Sequence, residues 1–108
     1  MTTTVIELVT FKLKQNTDKS VLNNINPKVN DFLKSQTGFL YRSSSEDESG
    51  LLYDIVYWQD MACAKQAGAA FEQSEAGGLL MSVTDMDSVT MQYMSAITEA
   101  MSCEGTPA

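Results

Sequence analysis

The chain has 108 residues, 44% of them hydrophobic and 19% charged, with a formal net charge of −7 and no histidine. That length suits one domain able to hide roughly two thirds of its unfolded surface, the apolar content excludes a disordered chain, and no apolar run approaches the ~20 residues of a membrane helix. The acidic balance argues against nucleic acid, whose binding rests on phosphate neutralisation, and the missing histidine removes the commonest general base and the usual proximal haem ligand.

Met1-Thr2-Thr3-Thr4-Val5 lacks the basic stretch and apolar core of a secretory signal, so a cytoplasmic location is expected. Residues 5–13, Val5 to Leu13, are rich in β-branched and aromatic types and read as a first strand. Both of its faces carry apolar residues, and Glu7 is the lone acid among them. A strand that is apolar on both sides is covered on both sides. Asn16-Thr17-Asp18-Lys19-Ser20 is a capping sequence, after which Val21, Leu22, Ile25, Val29, Phe32 and Leu33 mark one face of a helix. Pro27 predicts a kink near Asn26, and Gly38 ends the segment.

Phe39 to Ser45 reads as a second, edge-like strand, and Glu46 to Gly50 supplies the turn of a hairpin. Leu51 to Trp58 is the strongest strand pattern in the chain, with Asp54 its single acid. Asp60 caps a small-residue helix through Phe71. Ser74 to Met81 predicts a short further turn of helix broken at Gly77-Gly78. Ser88 to Ile97 is a final strand. Residues 1–98 are expected to form the domain and 99–108 a frayed tail.

The order is β-α-β-β-α-β, the ferredoxin-like α+β arrangement, with two helices on one face of a four-stranded antiparallel sheet. The opposite face of such a sheet is normally polar at every second position, and here it is not. A second copy of the chain is the economical cover, giving a two-fold homodimer.

Val9-Thr10-Phe11-Lys12-Leu13-Lys14, the Gln36-Thr37-Gly38-Phe39 turn, and Asp54-Ile55-Val56-Tyr57-Trp58 before a small-residue helix resemble the dimeric α+β barrel proteins. Within them the chain is most similar to the antibiotic-biosynthesis-monooxygenase-like group, over about residues 4–97. The resemblance implies two face-to-face sheets in a dimeric barrel. It also implies cofactor-free oxygenation, or alternatively isomerisation, of a small aromatic or polyketide-like compound, with no cofactor or metal. The family's oxygenases carry an amide on the third strand, a tryptophan four residues later and a tyrosine in the next helix. Asp54, Trp58 and Ala64 stand at or near those positions. The haem-degrading relatives' asparagine, tryptophan and histidine fall near Glu7, Trp58 and Gly68, so without histidine that chemistry does not carry over.

Glu7 and Asp54 sit on strands expected to be neighbours, so their carboxyls are placed for one sheet face. Each needs a partner or will hold its proton. Arg42 is the obvious partner and Gln92 a second candidate. The pair reads either as a buried ion-pair network fixing the dimer or as an acid–base pair. Asp54, Trp58 and Glu7 are the candidate catalytic residues, and Arg42, Gln92, Phe71 and Tyr53 the candidate ligand contacts. The alternative function is a non-catalytic dimer that binds a small molecule in the same cavity. The seven methionines read as adaptable core filling. Cys63, near a helix start, is a candidate for a lowered pKa.

Overall fold

The computed structural model describes residues 3–100. Strand β1 (Val5–Leu13) is followed by a 3₁₀ turn at Lys19–Val21 and helix α1 (Leu22–Lys34). A hairpin of β2 (Phe39–Glu46) and β3 (Leu52–Trp58) follows, then helices α2 (Met61–Glu72) and α3 (Glu75–Val83), and last β4 (Thr84–Ser95). The four strands form one antiparallel sheet in the order β2-β3-β1-β4, the ferredoxin-like arrangement read from the sequence. The expected tail beyond residue 100 lies outside the described residues. No described helix is long and apolar enough to cross a membrane.

Side-chain chemistry at the element ends explains where they begin. Asp18 accepts a hydrogen bond from the Ser20 backbone at the 3₁₀ turn, Asp60 accepts from Cys63 N (2.9 Å), and Ser74 Oγ accepts from Gly77 N (2.9 Å). Helix α1 continues through Pro27, which lies in its second turn. Gly38 adopts φ +81°, and a Cβ there would stand 2.5 Å from Cys63 Sγ, so the entry to β2 requires glycine.

Two features differ from the sequence expectation. Helix α3 is not broken at the glycine pair but runs for nine residues. Gly77 is buried at its start, and a Cβ on it would meet the Phe71 carbonyl oxygen at 1.9 Å. Glycine therefore serves the close corner between α2 and α3, which outweighs its poor helix propensity. Strand β4 begins at Thr84, four residues early, because Thr84 Oγ1 ties back to Leu80 O (2.7 Å) and Lys14 N bonds Val83 O (2.9 Å).

The helices pack on one face of the sheet. Ile25, Val29 and Leu33 of α1, Ala64 and Ala67 of α2 and Ala76 of α3 join Val5, Val56 and Trp58 in a single buried cluster. Burying each large aliphatic side chain there contributes roughly 1.5–3 kcal/mol. The other face carries Ile6, Leu8, Ile55 and Tyr57, all half-buried, beside the exposed Tyr41.

Candidate functional site

A cavity of about 570 Å³ lies between the sheet and the helices. Its floor comes from alternate residues of the central strands: Glu7, Val9 and Phe11 of β1, and Asp54, Val56 and Trp58 of β3. Its walls include Val29, Leu33, Phe71 and Leu80. Most of the lining is apolar, so the few polar groups set what it can recognise.

Two irregularities in the sheet shape this chamber. The pairing of β2 with β3 shifts between Phe39 and Tyr41. Phe39 stands opposite Trp58, Tyr41 opposite Tyr57, and Arg42 opposite Val56. Phe39 and Arg42, three residues apart, therefore share the cavity-side face, which strict alternation forbids. Phe39 meets Trp58 edge to face with ring centroids 5.8 Å apart. On the other side, Thr10 pairs with Thr90 while Lys12 pairs with Asp85, so β4 carries extra residues there. Among them Met86 and Val89 line the cavity, and Met86 is half exposed.

Glu7 and Asp54 point into the same cavity but take different partners. Arg42 donates from Nε to Asp54 Oδ1 (3.0 Å), and its Nη2 forms an ion pair with the same oxygen at 2.8 Å. Nη1 donates to Asn30 Oδ1 (2.8 Å) and Nη2 to Asn26 Oδ1 (3.0 Å), one turn apart on α1. The guanidinium thus joins β2, β3 and α1, and its charge is neutralised and well hydrogen-bonded. Burial pushes the Asp54 carboxyl above the usual range, and the Arg42 charge and hydrogen bonds pull against it.

Among the described residues Glu7 forms no ion pair. Its Oε1 accepts the indole N–H of Trp58 at 2.9 Å. Burial raises the Glu7 pKa, the Trp58 hydrogen bond opposes that rise, and the nearby Asp54 charge adds to it. Trp58 is almost wholly buried, with its one donor directed at Glu7. Tyr93 of β4 stands directly across from Glu7 in the sheet and also lines the cavity. Its phenol is raised first by burial and then by the Glu7 charge.

Of the residues selected from sequence, Glu7, Arg42, Asp54, Trp58 and Phe71 meet at one cavity. Gln92 and Tyr53 do not. Gln92 is exposed and donates to Met94 Sδ (3.4 Å), while Tyr53 donates to Asp47 Oδ2 (2.9 Å). Both occupy strand positions adjacent to a cavity-facing residue, so alternation turns them to the other face. Of the two candidate partners, Arg42 is the one that meets Asp54. Cys63 also departs from expectation: the Asp60 carboxylate beside it raises the thiol pKa, with burial a lesser cause. Tyr93 escapes sequence reasoning, although its pairing with Glu7 follows from the predicted strand order once the register is known. Among the described residues no group of three or more histidine, cysteine, aspartate or glutamate side chains is arranged to hold a metal ion.

The sequence matches no protein-family model and no curated protein. Solved structures do share the fold. A point mutant of SnoaB from Streptomyces nogalater, described as a cofactor-independent oxygenase, superposes with a TM-score of 0.72 at 14% identity, covering 89% of this chain and 95% of that one. ActVA-Orf6 of Streptomyces coelicolor, a monooxygenase in complex with the ligand nanaomycin D, gives 0.69 at 14% identity with 92% of each chain covered. PA3566 from Pseudomonas aeruginosa gives 0.67 at 15% identity, covering 91% of this chain and 98% of that one. The fold expected from sequence is thus borne out in three dimensions: this chain shares the ferredoxin-like fold of SnoaB, ActVA-Orf6 and PA3566.

Proposed function

We propose that the cavity binds a small aromatic or polyketide-like compound and oxygenates it without a cofactor, with Glu7 as the proton-transfer group. One observation carries this reading. Glu7 is a carboxyl at an apolar cavity wall with a neutral indole for a partner and a pKa raised by burial. A base of that kind works closer to neutral pH than an ordinary glutamate. Asp54 is less suited, because Arg42 already engages it twice. The likeness to SnoaB and ActVA-Orf6 supports the same chemistry.

In this reading Glu7 removes a proton from an activated ring CH₂ group. The resulting carbanion passes electrons to dioxygen, and a carbon–oxygen bond forms to give a hydroperoxide. Loss of water across the O–O bond then leaves a ketone. One O₂ is consumed, one oxygen atom stays on the ring carbon, and the other leaves as water with both hydrogens of the CH₂. Trp58 holds the Glu7 carboxyl in place, and Arg42 keeps Asp54 paired beneath the substrate.

Oxygen uptake with 1,8-dihydroxyanthrone tests the assignment. Catalysed uptake is expected, falling about 100-fold or more in Glu7→Gln, the scale of a lost general base. Tight binding with no uptake assigns the chain instead to the non-catalytic ligand-binding class. Uptake unaffected by Glu7→Gln removes Glu7 from its role.

The same reading includes a two-fold homodimer through the far face of the sheet. Ile6, Leu8, Ile55, Tyr57 and Tyr41 leave an apolar surface there that a second copy would cover, as a self-complementary interface does. Sedimentation at micromolar concentration is expected to give a particle of twice the 11.9 kDa chain mass. A folded monomer at that concentration rejects the dimer.

A further inference from the structure

Tyr93 is the one cavity-lining tyrosine among the described residues, and the oxygenation chemistry above gives it no role. It stands opposite Glu7 as its Cα partner across the β1–β4 ladder. Directly opposed side chains on one sheet face have Cβ atoms about 4.5–5.5 Å apart. The Tyr93 hydroxyl extends over the cavity toward α2, where it lies 3.7 Å from the point a Cβ on Gly68 would occupy. Gly68 thereby leaves open the space around that hydroxyl. Among the described residues, the Tyr93 hydroxyl has no hydrogen-bond partner, and it is not a sealed, orphaned group. It therefore faces the cavity with its O–H donor free. Glu7, by contrast, offers an acceptor, already steadied on its other side by Trp58.

A free donor and a basic acceptor side by side on neighbouring strands form a pair that recognises two neighbouring features of one ligand. The ligand chemistry that fits is a ketone oxygen to accept from Tyr93 and an acidic hydrogen on the adjoining carbon to face Glu7. We infer that Tyr93 is a ligand-binding residue that donates its phenolic hydrogen to the carbonyl oxygen of an enolisable aromatic ketone, with Gly68 leaving the room for that oxygen. When Glu7 takes the proton from the neighbouring carbon, the electron pair of the broken C–H bond moves into the carbonyl, and the charge that develops on oxygen rests against the Tyr93 hydroxyl. The proton ends on Glu7, and nothing is oxidised in this step. Donors aimed at an oxygen where charge develops stabilise the transition state more than the ground state. The inference rests on the cavity being the ligand site proposed above.

Trp58 is the only tryptophan, so its indole N–H gives a single NMR resonance beside Glu7. Titration of that resonance compares two probes of matched shape, 2-acetonaphthone with a carbonyl and 2-isopropylnaphthalene without one. In Tyr93→Phe, which removes only the hydroxyl, affinity for 2-acetonaphthone is expected to fall about fivefold, the scale of one neutral hydrogen bond. Affinity for 2-isopropylnaphthalene should stay within about twofold, since no hydrogen bond to it is lost. Deuterium uptake by the acetyl methyl of 2-acetonaphthone in D₂O should slow by about tenfold or more in the same variant. Gly68→Leu should weaken both probes, and Gly68→Ala should weaken 2-acetonaphthone more than the hydrocarbon. Equal losses for both probes in Tyr93→Phe, or no loss for either, overturn the inference and leave the cavity reading intact. If neither probe moves the Trp58 resonance of the unaltered protein, the cavity reading itself fails and this inference falls with it.

Discussion

Glu7 and Asp54 are the same kind of group in the same kind of place, and the fold treats them in opposite ways. Both are lone acids on a central strand, both face one cavity, and burial raises both pKa values. Asp54 is locked by the Arg42 fork, which Asn26 and Asn30 hold from behind. Glu7 receives one hydrogen bond from a neutral indole. A paired charge inside a protein is a structural commitment, because removing either partner leaves the other stranded. A carboxyl with a neutral neighbour keeps the freedom to gain and lose a proton. In the proposed function the contrast separates a joint of the fold from the proton-transfer group, though composition makes the two look alike.

The largest effect that tests this contrast is on stability. Arg42→Met leaves Asp54 buried without its cation, and unfolding by denaturant should show a loss of about 3–5 kcal/mol. The double variant Arg42→Met with Asp54→Leu should regain most of it, because two apolar groups replace two charges. If Arg42→Met alone is neutral, the Asp54 site is no more structural than the Glu7 site and the distinction collapses.

The smaller effect sharpens the other half of the comparison. Glu7 holds its proton to higher pH in the folded chain than in the unfolded one. Between those two values the folded state binds more protons, so stability falls as pH rises through that window. The favourable contribution is complete below the unfolded value and lost once pH passes the folded one. Glu7→Gln should flatten that part of the stability-versus-pH curve above the ordinary glutamate range, while Asp54 continues to supply a slope of the same sign. An unchanged curve in Glu7→Gln would mean that Glu7 titrates like a surface acid.

The strands are legible because their patterns are strong. Leu52 to Trp58 alternates buried and half-buried residues along its whole length, and the two isolated acids mark the cavity floor. Asp60 announces α2 by its capping chemistry. Other features are hidden from the sequence, each for a physical reason. Gly77 and Gly78 look like a break because propensity is local, whereas the Phe71 carbonyl that requires a bare Cα at Gly77 is a tertiary neighbour. The start of β4 is masked by its polar sequence, Thr84-Asp85-Met86-Asp87, whose pairing depends on β1 rather than on apolar alternation.

The bulge at Leu40 is invisible as well, and with it the reason Phe39 and Arg42 face the same way. Choosing Gln92 over Tyr93 is an error of parity. A shift of one residue along a strand changes the face, and the register that decides it is fixed only by the partner strand. Tyr53 could be rejected from the sequence alone, since it adjoins Asp54 and an extended strand cannot point both inward.

Gly77 has one more consequence. Helix α3 supplies Leu80 and Met81 to the chamber, and its starting point is set by how near its first turn comes to the end of α2. One extra methyl at residue 77 would collide with the Phe71 carbonyl, so the start of the helix that carries Leu80 and Met81 would have to shift. The seat of two residues of the cavity wall thus depends on an atom missing from a residue that does not itself line the cavity.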